Sequence, residues 1–185
     1  MSPDIYNAFM LDHAAGALSP GLKLAADLHV ALSMEGAGQA AVWDTIGGAL
    51  LERQEVLAAP ALRARRRSAR DVPAAMTARS ILRTDFGQLD WRRTLTSARR
   101  ARTGIPGAHF MRLEAGETIP RHGHSALEAT IVLEGQLAAD GEIFGVGDLM
   151  LGLPGEPHKP GAYGEAPCIC LVASDRDRNK FWRLT

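Results

Sequence analysis

Apolar residues in this chain change their spacing partway along, and the change predicts two kinds of structure. Up to about residue 60 they recur at intervals of three and four, the mark of helices packed on one face. Ser2-Pro3-Asp4 is a start signal, with proline suited to a first helical position, and the first helix is expected to end near Ala15–Gly16. Ser19-Pro20 starts a second helix, whose stripe runs through Leu22, Ala25, Ala26, Leu28, His29 and Leu32. A break is expected over residues 33–38. A third helix then carries Ala40, Val42, Trp43, Ile46, Ala49 and Leu50, with Gly47 and Gly48 inside it. Paired glycines there lower helix propensity, or allow another backbone to approach.

Residues 58 to 72 are a composition shift with arginines at 63, 65, 66, 67 and 70, a linker or a solvated helix end. Val72-Pro73 opens a short Ala-rich helix to about Leu82. From Phe86 onward the pattern is short alternating runs split by Gly-centred turns, as in a sandwich or barrel. Strands are expected at 89–93, 108–113, 128–133, 136–138, 143–144, 148–153, 168–173 and 181–184. In the run from Leu127 to Leu133, Thr130 and Val132 fall on one face and Leu127, Ala129, Ile131 and Leu133 on the other. A strand apolar on both faces is covered on both. The outer cover could be a second sheet, the helices or a second subunit.

Composition narrows the function. The chain has 185 residues, 46% hydrophobic, and 21 basic against 21 acidic side chains, so no global field recruits nucleic acid or an anionic membrane. The arginine run has no interleaved aromatics, which weakens a nucleic-acid reading. No apolar run approaches a membrane span. The N-terminus lacks the basic-then-apolar order of a secretory signal, so a cytoplasmic location is expected. The two cysteines, Cys168 and Cys170, sit two apart in an apolar strand, and their Cβ atoms are too far apart for a disulfide. They read as small buried side chains.

The candidate chemistry is concentrated between Gly116 and Gly135. His122, His124 and Glu128 lie at even offsets, which on a strand share one face. His158 follows after a glycine-rich hairpin region. Three imidazoles and a carboxylate form a ligand set for one divalent ion. If this face points into a barrel, an unliganded Glu128 would be a costly buried charge, which a metal offsets.

Gly116, His122, His124, Glu128 and Gly135 match the first motif of the cupin superfamily without a gap. Gly147 and His158 keep the separation of its second motif, with Pro154 one place late and the motif's downstream asparagine absent. Together with Ala14 to Ser19, His29, Gly47 to Glu52 and Cys168 to Ser174, the chain resembles the ChrR-type anti-sigma factors. The resemblance implies an α+β protein: a small all-α helical domain at 1–70, then an all-β cupin barrel (a double-stranded β-helix, or jelly roll) at 71–185. It implies an extracytoplasmic-function sigma factor as partner, clasped by the helical half, with the cupin sensing oxidative stress or a ligand. Leu22, Leu28 and Leu32 are the expected clasp residues, and a homodimer is a further option.

Zinc is the expected ion in the cupin, with iron or manganese as alternatives. The family's helical zinc motif, H-x-x-x-C-x-x-C, reads here His29, Ser33 and Gly36. Both thiolates are lost, so no N-terminal zinc is expected, and His29 becomes a histidine at a helix interface, as does His13. The same four cupin ligands would also serve a dioxygenase-like metalloenzyme or a small-ligand-binding module. Spacing alone does not choose among them.

Overall fold

The computed structural model describes residues 3–52 and 76–175. The arginine run, the proline-initiated start at 72–73, the strand expected at 181–184 and the boundary placed at 70/71 lie outside the described residues. Three helices come first: α1 (Pro3–Ala14), α2 (Pro20–Leu32) and α3 (Met34–Glu52). A single turn of helix, α4 (Ala78–Ile81), follows, with Thr77 and Ser80 forming a reciprocal capping box. A 3₁₀ turn at Phe86–Gln88 leads into the strands.

Nine strands form two antiparallel sheets among the described residues. They are β1 (Arg92–Arg93), β2 (Arg99–Arg102), β3 (Ala108–Leu113), β4 (Glu128–Glu134), β5 (Leu137–Ala139), β6 (Glu142–Phe144), β7 (Leu149–Gly152), β8 (Gly161–Ala162) and β9 (Cys168–Ser174). The larger sheet has the order β1-β2-β3-β9-β4-β7, and the smaller the order β6-β5-β8. Side chains from both sheets fill the space between them: Met111, Leu113, Val132, Cys170 and Val172 from the larger, Leu137, Ala139 and Ala162 from the smaller.

The outer face of the larger sheet is equally apolar. Phe110 of β3, Ala129 and Ile131 of β4, and Leu171 and Ala173 of β9 alternate with the inward residues and are buried. They pack against the helices, in one core with Tyr6, Phe9 and Met10 of α1 and Leu22, Ala25 and Leu28 of α2. The outer cover is therefore the N-terminal helices. Each leucine fully buried at such a contact contributes roughly 1.5–3 kcal/mol.

Three expectations are revised. The break between the second and third helices is a single residue, Ser33, and not residues 33–38. Gly36 lies inside α3 because a Cβ there would come within 2.6 Å of the His29 carbonyl oxygen, so its bareness permits close approach of two helices. The strand expected at 89–93 is reduced to Arg92–Arg93, since Phe86–Gln88 turns and caps onto Leu89. Strand β2 has no counterpart in the sequence reading. Its four residues, Arg-Arg-Ala-Arg, lie near the sheet edge with only Ala101 buried, so no apolar alternation marks it.

The glycines of α3 should respond in opposite senses. A Cβ at Gly48 would meet nothing within 4 Å, so Gly48→Ala should stabilise the protein by about 0.5–1 kcal/mol through helix propensity. Gly36→Ala should destabilise it, because the obstructing atoms are backbone. Urea denaturation of both variants checks the pair, and equal signs would contradict the packing described.

Candidate metal centre

His122 and His124 do not lie on one continuous strand with Glu128, as even spacing had suggested. They sit on an irregular approach segment pinned by isolated bridges, His122 to His158 and His124 to Pro154, and Glu128 opens β4. The His122 N–H donates to the His158 carbonyl at 3.0 Å, and the His158 N–H returns a bond of 2.9 Å. The Gly155 N–H donates to the His124 carbonyl at 3.0 Å. These pairings place the two motif segments face to face, so four residues from separate stretches meet.

One ligand atom from each of His122, His124, Glu128 and His158 lies within 4.8 Å of the others. The Nε2 atoms of His124 and His158 are 2.8 Å apart, and those of His158 and His122 3.3 Å. His124 Nε2 is 3.4 Å from Glu128 Oε1. Donors about 2.0–2.1 Å from one tetrahedral ion would be roughly 3.3 Å from each other. The observed spacings bracket that value. His122 Nδ1 donates its proton to the Pro120 carbonyl at 3.0 Å, which leaves Nε2 as a lone pair aimed at the cluster. Burial, helped by the charges of His122 and Arg121 and opposed by Asp140, holds the His158 pKa below its ordinary value, so its imidazole stays neutral and ligand-competent. Gly152 leaves room for the rings: a Cβ there would meet His124 Cδ2 at 3.2 Å. The donor set can hold a metal ion.

A cavity of about 660 Å³ opens onto the cluster, with Glu128, His122 and His158 in its wall. Sequence reasoning missed Arg100, which also lines it. The Arg-rich composition of 99–102 was the available signal, but only the register of β2 on β3 shows which arginine turns inward.

His29 is placed elsewhere, about as far from ligand duty as a histidine can be. It is 1% exposed. Its Nδ1–H donates to the Gly147 carbonyl at 2.7 Å, which fixes Nε2 as the acceptor for the Tyr6 hydroxyl at 2.9 Å. One ring thus ties α1 and α2 to the turn before β7. Gly147 sits at φ +89° with Leu32 pressed against it, so the turn can approach the helix only as glycine. His13 bonds Asp27 at 2.8 Å, alongside Lys23. The cysteines are buried with Sγ atoms 3.5 Å apart, and the contact with Cys168, then burial, pushes the Cys170 thiol well up. Neither is activated as a nucleophile.

A two-layered β barrel with this converging histidine–carboxylate cluster, capped on its outer sheet by helices, defines a cupin-containing protein. A family model described as "Cupin domain" matches residues 109–174. The anti-sigma-E factor ChrR of Cereibacter sphaeroides is 30% identical over 92% of this chain and 88% of its own length. The crystal structure of Rhodobacter sphaeroides SigE in complex with the anti-sigma ChrR matches with a TM-score of 0.71 and 29% identity, over 91% of this chain and 96% of that one. The chain belongs to the ChrR family of anti-sigma factors.

The Tyr6–His29 bond has a pH signature. Burial first, and Glu35 second, push the Tyr6 phenol up to about 12. Between an unfolded value of about 10 and that value, the unfolded chain ionises while the folded one does not. Stability is therefore fully present below about pH 10 and declines above it, by on the order of 2 kcal/mol from this group. Tyr6→Phe should flatten that decline in denaturation midpoints measured from pH 9 to 12. An unchanged slope would place the alkaline loss elsewhere.

Proposed function

We propose that this chain is an anti-sigma factor that sequesters an extracytoplasmic-function sigma factor through its helical unit, with the cupin as receiver of the signal. The observation that carries the reading is the likeness to the anti-sigma chain of the SigE complex, which spans helices and barrel together. Among the described residues no helix is long and apolar enough to cross a membrane. A cytoplasmic location fits this reading. The division into a helical unit up to about residue 70 and a cupin unit after it fits it too.

The geometry moves the clasp. Leu22 and Leu28 are buried against the sheet, and Leu32 is packed against the turn at Gly147, so α2 does not offer them to a partner. The unoccupied apolar stripe is on α3: Val42, Ile46 and Leu50 recur every fourth residue and are 50%, 43% and 60% exposed. Leu11 of α1 is exposed as well. A stripe of this kind is what a partner helix or groove covers, with a few apolar anchors carrying the affinity.

For the cupin we propose one zinc ion held by His122, His124, Glu128 and His158. Three nitrogens and one oxygen at near-tetrahedral spacing suit zinc and would close its coordination. When bound, such an ion supplies a fixed positive charge and a structural cross-link between the two motif segments. The chain's own contribution is orientation: the Pro120 carbonyl sets the tautomer of His122, and burial keeps His158 neutral.

Two measurements test these readings separately. Co-expression with the sigma factor encoded beside this chain should yield a stable complex. Ile46→Asp with Leu50→Asp should abolish it while leaving metal content unchanged, and persistent capture by this double variant would place the clasp elsewhere. His124→Ala should lose stoichiometric metal by elemental analysis and melt several degrees lower than wild type. A wild-type protein prepared without chelator and found metal-free would sink the zinc assignment.

A further inference from the structure

The cavity beside the cluster is strongly asymmetric. Its floor is a row across the larger sheet, set by register: His109 pairs with Val172, Val172 with Thr130, and Thr130 with Met150. Arg100 pairs with Met111 one step toward the open edge, so the arginine stands beside the methionine at the cavity wall. Apolar surface comes from Met111, Ile119, Met150 and Val172, and from Leu95 at the tip of the β1–β2 hairpin. Leu95 is wholly exposed.

The charge on this lining is one-sided. Arg93, Arg100 and Arg121 all contribute to it, and Glu128 is its one carboxylate among the described residues. Arg121 is committed to Asp140 at 3.1 Å and to the Pro157 carbonyl at 2.8 Å. Glu128 is committed to the histidine cluster. What faces an entering molecule is a mouth carrying Arg93 and Arg100, a greasy wall, and a cluster that gains positive charge if it holds a cation. Concave, low-dielectric clefts of one sign concentrate ions of the other. A volume of about 660 Å³ is in the range of small-molecule sites.

We infer that this cavity is a binding site for a small amphipathic carboxylate. The carboxylate pairs with Arg100 and Arg93 beside the histidine cluster, and the hydrocarbon body lies along Met111, Met150, Val172 and Leu95. The inference deepens the receiver role proposed for the cupin and rests on it for its biological meaning, although the site is defined by the lining alone. Guanidinium groups recognise carboxylates by paired, charge-assisted hydrogen bonds. Apolar contact supplies the remaining affinity and discriminates against acetate-sized anions.

Sodium decanoate serves as the probe, with decyltrimethylammonium (the same tail with the opposite charge) and acetate as controls. Titration calorimetry and thermal shift are run on the full-length protein, its metal content measured beforehand. Decanoate should bind with one-to-one stoichiometry and raise the melting temperature, and neither control should. Arg100→Gln should weaken decanoate by about tenfold or more, the loss of one charge-assisted contact, with metal content unchanged. Arg100→Lys should retain part of the affinity. Equal binding of the two decyl compounds, or an unchanged affinity in Arg100→Gln, overturns the inference. So does an absence of decanoate binding in protein that holds metal and captures its sigma factor. Decanoate binding by protein that captures no sigma factor supports the site and counts against the anti-sigma reading alone.

Discussion

The structure depends on a sheet that cannot tolerate water on either side. Strands β3, β4 and β9 are apolar on both faces: inward residues fill the barrel and outward residues such as Phe110, Ile131 and Leu171 need a cover. Helix α2 provides it, with α1 seated beside it. From this follow the burial of Leu22 and Leu28, the placement of His29 against the turn before β7, and the exposure of α3. Hydrophobic burial decides which helix is structural and which is left to meet a partner.

The histidine link adds direction to that packing. Apolar contacts are tolerant of sliding, but a ring that donates to the Gly147 carbonyl and accepts from Tyr6 is not. Where the family motif has two thiolates, this chain has Ser33 and Gly36. The space at Gly36 is taken up by the backbone and ring of His29. A metal-ligand position has become a buried hydrogen-bond junction, and the imidazole is retained because both of its nitrogens are in use.

Much of this was legible before coordinates. The helix starts at Pro3 and Pro20, the doubly apolar β4 strand, and the identities of the four clustered residues were all readable from spacing and turn chemistry. The clustering itself came about differently from the way the spacing suggested. His122 and His124 reach Glu128 through bridges to a segment some thirty residues away, a pairing that local periodicity does not encode. Strand β2 was invisible because an edge strand facing water carries no apolar alternation. The stripe of α2 was visible, but not which surface it would cover: a leucine stripe facing a partner and one facing the protein's own sheet have the same period. Only the competing demand of the sheet separates them.

The seated helix also governs how the molecule can be dissected. The barrel is not an independent module that happens to carry a helical appendage. Cut free, it would present Phe110, Ile131 and Leu171 to solvent as a broad adhesive surface, and such fragments associate with one another before they report on anything else. A workable barrel-only version would have to keep α2 or carry polar replacements along that outer row.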